Sequence, residues 1–413
     1  MMNNRIILAG LLGLAFAACQ SGKQQENIDE VPVIETGGVR PMPNEWRDKD
    51  TGHKIIKLSR REGGGRSFYF HNNPFIKQQR DEGDLMIFYG KVDSLNQLFS
   101  LNLKTFALEQ LTSHDNQIRG EIVAPKNRKV FYQSNDSVFA THVDSKETEL
   151  VFVFPEDFKS GITTINADET LLAGSHASPL KDEIYKNNPE KKDYFTLIFE
   201  ARIPHTLYTL DIHTKELKKL YGENAWLNHI QFSPTDPNLL MYCHEGPWHL
   251  LNRIWTINLT TGDTTLIHKR TMDMEIAGHE FFGRDGKVIW FDLQKPKGET
   301  FYLAGKNLET GAFTTYAMKR DEWSIHFNIS PDLTHFAGDG GDSTQVAHAR
   351  NGRWIYLFTP SGDSLQSEKL VNMQHHGYRP LEPNVHFSPD GKYIIFRSDF
   401  DGETNIYAVE IAR

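Results

Sequence analysis

The stretch Met241–Trp255, MYCHEGPWHLLNRIW, begins apolar like a strand and then sets Cys243, His244, Glu245, Gly246, Pro247, Trp248 and His249 side by side. A Cys next to a His could form a thiol nucleophile, and the alternative is a small buried residue at a strand end. Related groups recur downstream. WLNHIQFSP carries His229, EIAGHEFFG carries His279 and Glu280, and EWSIHFNIS carries His326. QHHGYRPLEPNVHFSPDG carries His375, His376, Arg379, Glu382, Asn384 and His386. Imidazole nitrogens with carboxylate and amide oxygens suit a borderline or hard divalent ion such as Mn²⁺, Zn²⁺ or Ca²⁺. No sulfur falls in phase with them, which argues against a structural zinc site. The competing reading is a polar, water-filled channel lined by histidines that holds no ion.

These groups share a position in a repeat. Downstream of residue 50 the chain reads as short strands and turns, with no stretch of helical periodicity. Ser-Pro-Asp-type turns occur at Phe232-Ser233-Pro234, Phe282-Gly283-Arg284-Asp285-Gly286, Ile329-Ser330-Pro331-Asp332 and Phe387-Ser388-Pro389-Asp390-Gly391. The hairpins that close the units read LFSLNLKTFALEQL, LYTLDIHTKELKKL, IWTINLTTGDTTLI and FYLAGKNLETGAFTTY. Four-stranded units of this length predict an all-β fold, a seven-bladed β-propeller over residues 51–413. The blades are expected to begin near Asp84, Glu121, Thr163, Asn228, Gly278, Ser324 and Asn384. The last unit runs out after three strands, and the early segment His53–Ser59 is a spare strand that would complete it and remove open edges. In such a ring the innermost strands line a channel, so the in-phase histidines converge on one mouth. The Gly-rich run Gly338–Ser343 lacks the strand–helix context of a phosphate loop and reads as a tight channel turn offering Asp339 and Asp342.

Charge and targeting narrow the partners. The chain of 413 residues has 54 acidic against 45 basic side chains, net −9, and no basic tract, which excludes nucleic acid as an expected partner. An anionic substrate would need a local basic pocket. Residues 1–19 read as a lipoprotein signal: a basic start through Arg5, an apolar run Ile6–Ala18 too short to span a bilayer, then Cys19 as the lipidated residue. Phe16 stands where such signals usually have Leu, and no Asp follows the Cys, so an outer-membrane anchor is expected, with the membrane touched through the lipid only. Residues 20–50 read as a flexible tether. After processing, Cys243 is the one thiol besides the anchor, so no disulfide forms within the domain.

CHEGPWH, GHEF, HIQFSP and the terminal FSPDG resemble the oligogalacturonate lyases, a polysaccharide lyase family built on a seven-bladed propeller. The resemblance covers most of the mature chain and is clearest from Trp226 onward. It implies β-elimination on short, acidic uronate oligosaccharides, assisted by Mn²⁺, with Ca²⁺ the second choice. The C5 proton of a uronate is weakly acidic, and pairing the adjacent carboxylate with a metal or an Arg stabilises the developing charge. A neutral imidazole can take that proton. By resemblance His244 is the base and His279 a metal ligand. The family's Gln-x-x-His-x-His element is missing, and alignment on the last turn puts Glu382 and Asn384, or Asn384 and His386, in its place. Arg202 and Arg253 are candidate partners for the substrate carboxylate, the alternative for each being an ordinary ion pair. His229, Trp248 and His326 are expected to touch substrate, Trp248 by stacking on a sugar or else by packing between blades.

Two other functions fit parts of the pattern. A non-catalytic glycan- or protein-binding propeller lipoprotein would explain the missing metal element. Glycoside hydrolysis would require two carboxylates flanking a bond, for which Glu245, Glu280 and Glu382 are candidates. A serine-hydrolase reading fails, since there is no Gly-x-Ser-x-Gly and no following α/β domain.

Overall fold

The computed structural model describes residues 31–78 and 82–412, and Cys19 with the signal segment lies outside them. Among the described residues, six four-stranded antiparallel units span 75–110, 119–153, 164–223, 227–266, 276–318 and 327–372, the last two joined edge to edge through Ala317 and Ser364, and a seventh has three strands in 386–410; these are blades 1 to 7. Blade 1 starts at Phe75, earlier than the Asp84 expected, because its inner strand Phe75–Ile76 is only a two-residue pairing.

The repeated Asn/Asp-x-x-Thr-Gly-like hairpins have a direct physical origin. In blade 4 the Asn258 Oδ1 accepts from the N–H of Thr260 (2.9 Å) and Thr261 (3.2 Å), and Gly262 closes the turn at φ +78°. Asn102, Asp211 and Asn307 do the same in blades 1, 3 and 5. A side-chain acceptor that mimics a backbone turn fixes each outer hairpin locally. The Ser-Pro turns work similarly: Ser388 Oγ donates to Asp390 (2.6 Å) and accepts from the Tyr393 N–H (3.0 Å).

Blade 7 supplies three strands from the C-terminus and takes its fourth, Lys54–Lys57, from the N-terminal region, pairing Ile55 with Val409 and Ile56 with Ala408. Two more strands, Glu45–Asp48 and Val33–Ile34, add outside it. Of the stretch 20–50 that the sequence reads as a tether, residues 33–34 and 45–48 are strands of this sheet, and residues 20–30 lie outside the described residues. Trp46 explains it: the indole is fully buried, donates to Thr36 Oγ1 (2.9 Å) and meets Tyr407 edge-on at 5.8 Å.

The sheets are not the whole of the fold. Between the second and third strands of blade 3 the chain makes a helical hairpin, α1 (Leu180–Asn187) and α2 (Lys191–Glu200), where strands and turns alone were expected. Asp182 and Glu183 sit in the first turn of α1 and Lys186 in its last, matching the helix dipole. The hairpin is held by Tyr185 against Tyr194 (4.6 Å) and by the one buried side chain of α2, Ile198, which packs with Ile203 and Trp226.

Candidate active site

The inner strands of blades 2, 4 and 5 each carry a β-bulge at the same position, between Arg119 and Ile122, Asn228 and Gln231, and Gly278 and Phe281. The residue re-aimed by each bulge has a positive φ: Gly120 (+115°), His229 (+47°) and His279 (+52°), with Asn384 (+51°) at the equivalent place in blade 7. Such a conformation is uncommon for any residue but Gly, and its repetition marks strain held for a purpose.

Of the re-aimed side chains, His279 meets residues from the neighbouring blades. The rings of His279 and His326 are 5.2 Å apart, and Trp248 lies 5.2 Å from His279. His326 is held through Nδ1 by Asp339 (2.8 Å), and its Nε2 faces Tyr69 Oη (3.2 Å) and Glu382 (3.8 Å). The segment around Tyr69, Phe70 and His71 fills the axis: Phe70 stacks on His326 at 4.6 Å and its N–H donates to Asn384 Oδ1 (2.9 Å). The Tyr69 N–H donates to Glu121 (2.6 Å).

Beside this set lies a buried charge network. Arg253 donates from Nη1 to Glu245 (2.7 Å) and from Nε to Glu280 (3.0 Å), and its guanidinium covers the Trp248 ring at 4.5 Å. His229 Nε2 lies 3.3 Å from Glu245, whose other oxygen accepts from Trp248 Nε1 (2.8 Å). Burial pushes the Glu245 carboxyl up, but Arg253 and His229 outweigh it and hold it well below its ordinary range. Arg253 is 1% exposed and committed on both edges, so it forms the inter-blade ion pair rather than a free partner for substrate. Burial raises the Cys243 thiol well above its usual range, which removes the thiolate a nucleophile needs.

His244 stands on the other face of its strand. Leu239–His244 is the second strand of blade 4, beside the innermost strand Leu227–Phe232. Met241 packs with blade 5 and Tyr242 with blade 3, so alternation sends Cys243 toward blade 5 and His244 toward blade 3. There the imidazole stacks on Trp255 (5.4 Å), and Nε2 makes a 3.1 Å ion-pair contact with Glu223 that is not a well-aligned hydrogen bond. Burial holds His244 below its ordinary range, opposed by Glu223 and reinforced by the charge of Arg202. Arg202, exposed at the end of α2 and stacked on Phe199 (4.8 Å), is thus near His244.

The helical hairpin is seated on this loop. Gly246 has φ +145°, and a Cβ there would come 2.4 Å from the Phe199 ring. Gly278 makes similar room for the Trp248 indole, at 2.2 Å.

Among the ligand candidates, His279 Nδ1 is buried with no hydrogen-bond partner, Asp292 being 3.9 Å away. Burial first, then His326 and Arg253, keep His279 well below its ordinary range and so neutral, and burial raises Asp292 to about 7. Asn384 uses its Oδ1 on Phe70 and its amide N–H on the Glu382 carbonyl (3.1 Å). His386 lies beside the Phe70–His71 segment, lining one cavity with both residues. Its nitrogens face the carbonyls of Asn384 (3.1 Å) and Asn72 (3.2 Å), and it lines a cavity of 420 Å³ with Gln231, Phe282 and Asn328. Glu121, Glu223 and the Tyr69–His71 segment belong to the site and escaped the sequence reading. The run SFYFHNNP, which breaks strand alternation, was the available signal for the last of these.

Strained imidazoles at one mouth of a seven-bladed ring, backed by buried carboxylates, define a propeller of the enzymatic kind. Comparison with known proteins agrees. Residues 42–413 match the family described as oligogalacturonate lyase. The oligogalacturonide lyase of Pectobacterium atrosepticum is 24% identical over 386 residues, 89% of this chain and 95% of its own length. The oligogalacturonate lyase of Dickeya dadantii is also 24% identical, with the same coverage. A solved oligogalacturonate lyase in complex with manganese superposes with TM-score 0.75 at 22% identity, covering 90% of this chain and 96% of the other. The chain belongs to the oligogalacturonate lyase family.

Proposed function

We propose that this protein is a polysaccharide lyase that cleaves short galacturonate-type oligosaccharides by metal-assisted β-elimination. The observation that carries the reading is His244, a partly buried and therefore neutral imidazole, with Glu223 on one side and the cationic Arg202 near it. His244 takes the C5 proton of the uronate. The C5–H electrons form the C4–C5 double bond, and the C4–O4 bond breaks with its pair going to oxygen, which is protonated from solvent. Glu223 stabilises the imidazolium as it forms, and Arg202 is placed to meet a uronate carboxylate.

The residues at the axis fit a divalent cation such as Mn²⁺. His279 offers a buried nitrogen without a partner, His326 Nε2 faces Glu382, and no sulfur takes part. His279, His326 and Glu382 would hold it, Glu382 standing in for part of the missing Gln-x-x-His-x-His. A second group, His229, Cys243 and Glu245, gathers within 4.8 Å, but its thiol is protonated and its carboxylate already carries Arg253. When bound, the cation supplies positive charge to the uronate carboxylate as the enolate character develops. The purified protein, given oligogalacturonates and Mn²⁺, is expected to produce the near-ultraviolet absorbance of an unsaturated uronate. Chelation should abolish it and added Mn²⁺ restore it. A folded protein that generates no unsaturated product on these substrates would overturn the reading.

The apolar run before Cys19 supports a lipid anchor in the outer membrane. Labelled palmitate is expected to enter the wild type and not Cys19→Ala, with the label in the outer-membrane fraction. An unlabelled wild type would remove the anchor.

A further inference from the structure

Lys181, on the first turn of α1, is a cation that faces aromatic rings and no carboxylate partner. Its Nζ lies 5.1 Å from the ring of Trp226 and 6.0 Å from that of Tyr185, and among the described residues no carboxylate comes within ion-pair distance. The floor beneath it carries two more unsatisfied groups. Trp226 Nε1 and His205 Nε2 are both buried with no hydrogen-bond partner, in side chains 6% and 1% exposed. His205 Nδ1 faces the Ile203 carbonyl at 2.9 Å, so the ring proton belongs there and Nε2 is left as an acceptor. Burial pulls His205 down to about 4, which keeps it neutral.

These groups adjoin the proposed base. Trp226 accepts the Glu245 N–H at its carbonyl (2.8 Å) and is followed by Leu227, which pairs across the sheet with His244. His205 pairs with Glu223, the residue facing His244, so it lies on the same inter-blade surface. One cation without a carboxylate, with one N–H donor and one acceptor that lack hydrogen-bond partners, complements a sugar acid that brings a carboxylate and hydroxyls. Buried polar groups left without partners are costly in a native protein, and a ligand that satisfies all three accounts for them.

We propose that Lys181 binds a carboxylate of the uronate chain, presented over the His244 side of the mouth by the helical hairpin, with Trp226 Nε1 and His205 Nε2 meeting neighbouring hydroxyls. The proposal rests on the lyase reading for its substrate class and adds a specificity-determining residue to it. It adds to Arg202 a second basic group for an anionic substrate.

Burial lowers Lys181 to about 8. The charged or titratable groups around it are Asp182 and Tyr185 on its own helix, Glu245 and Cys243 from blade 4, and His205 from blade 3; the acidic ones oppose the shift without cancelling it. The amine is therefore charged below about pH 8 and loses its charge above it.

The test compares wild type, Lys181→Met and Lys181→Arg on trigalacturonate, with circular dichroism as the check on folding. Lys181→Met should raise KM by about 10- to 100-fold with little change in kcat, as expected for one lost charge-assisted contact. Lys181→Arg should stay near wild type. The wild-type KM should also climb above pH 8, and that limb should vanish in Lys181→Arg. A Lys181→Met enzyme with wild-type KM, or an alkaline limb shared by wild type and Lys181→Arg, would overturn the proposal. Calorimetric binding of the same trisaccharide separates the two readings. A wild type that binds without turnover, and loses binding in Lys181→Met, retires the lyase function and keeps this site. A wild type that binds nothing retires the site.

Discussion

Replacing His244 by alanine is expected to reduce the rate of unsaturated-product formation by about 10²- to 10⁴-fold, the range that a positioned general base contributes. The fold should survive, because the side chain stands at a strand end and is 18% exposed. The pH dependence follows from the same surroundings. A base works only when unprotonated, so activity should fall as pH drops through its pKa. Burial places that pKa below the ordinary imidazole range, while Glu223 pulls it back up. Removing the charge in Glu223→Gln should therefore move the acid limb of kcat/KM to lower pH and also lower kcat, since the imidazolium loses its partner. An alanine enzyme within tenfold of wild type, or an acid limb unmoved in Glu223→Gln, would take the base role away from His244.

The largest effect on stability should come from Arg253→Met. The guanidinium is buried between Glu245 and Glu280, with both carboxylates almost fully enclosed. Taking it away leaves two buried acids facing each other, and breaking a buried pair from one side typically costs about 3–5 kcal/mol. The sign of its pH dependence is fixed by the same geometry. Arg253 and His229 hold Glu245 well below its usual range in the wild type. Without Arg253 its folded-state pKa rises, so the variant is stabilised by protonation and its deficit grows as pH increases. Thermal unfolding should show a small loss at acid pH and a large one above neutrality. Substituting Glu245→Gln and Glu280→Gln together with Arg253→Met should recover most of the loss, because no uncompensated charge remains. A loss of stability below about 1 kcal/mol, flat with pH, would show that the network is solvated rather than buried.

What could be read from the sequence was what the chain states locally. The Asn-x-x-Thr-Gly and Ser-Pro-Asp turns organise their own backbone, so the blade period is visible in the letters. The histidines of blades 4, 5 and 6 were found in phase because each stands at the start of an inner strand, next to such a turn motif. The family likeness of CHEGPWH and GHEF extended in the comparisons to residues 42–413. What stayed hidden depends on packing between blades. Glu223 is far from His244 in sequence and meets it only when blades 3 and 4 face each other. Strand alternation, which decides that Cys243 and His244 point opposite ways, cannot be assigned until the blade's neighbours are known. The helices escaped because each is short and α1 buries no side chain, leaving little apolar periodicity to detect. Asn384 reads from the sequence as a metal-ligand candidate, and its hydrogen bonds to the backbone of Phe70 and Glu382 depend on packing that the letters do not state.

The strand Lys54–Lys57 lies beside Asn405–Glu410, and the two come from opposite ends of the chain. Six blades can zip up as local hairpins while the polypeptide is still being made. The seventh needs its strands Tyr393–Ser398 and Asn405–Glu410, and it must then capture a segment synthesised long before them. Closing so long a loop is slow but not costly, since each doubling of length adds only about 0.6 kcal/mol. Until that clasp engages, His326, Asn384 and the Tyr69–Phe70 segment have not been brought together, because they come from blade 6, blade 7 and the early chain. The mouth of the channel is therefore assembled last, and an unfinished ring carries an unfinished site.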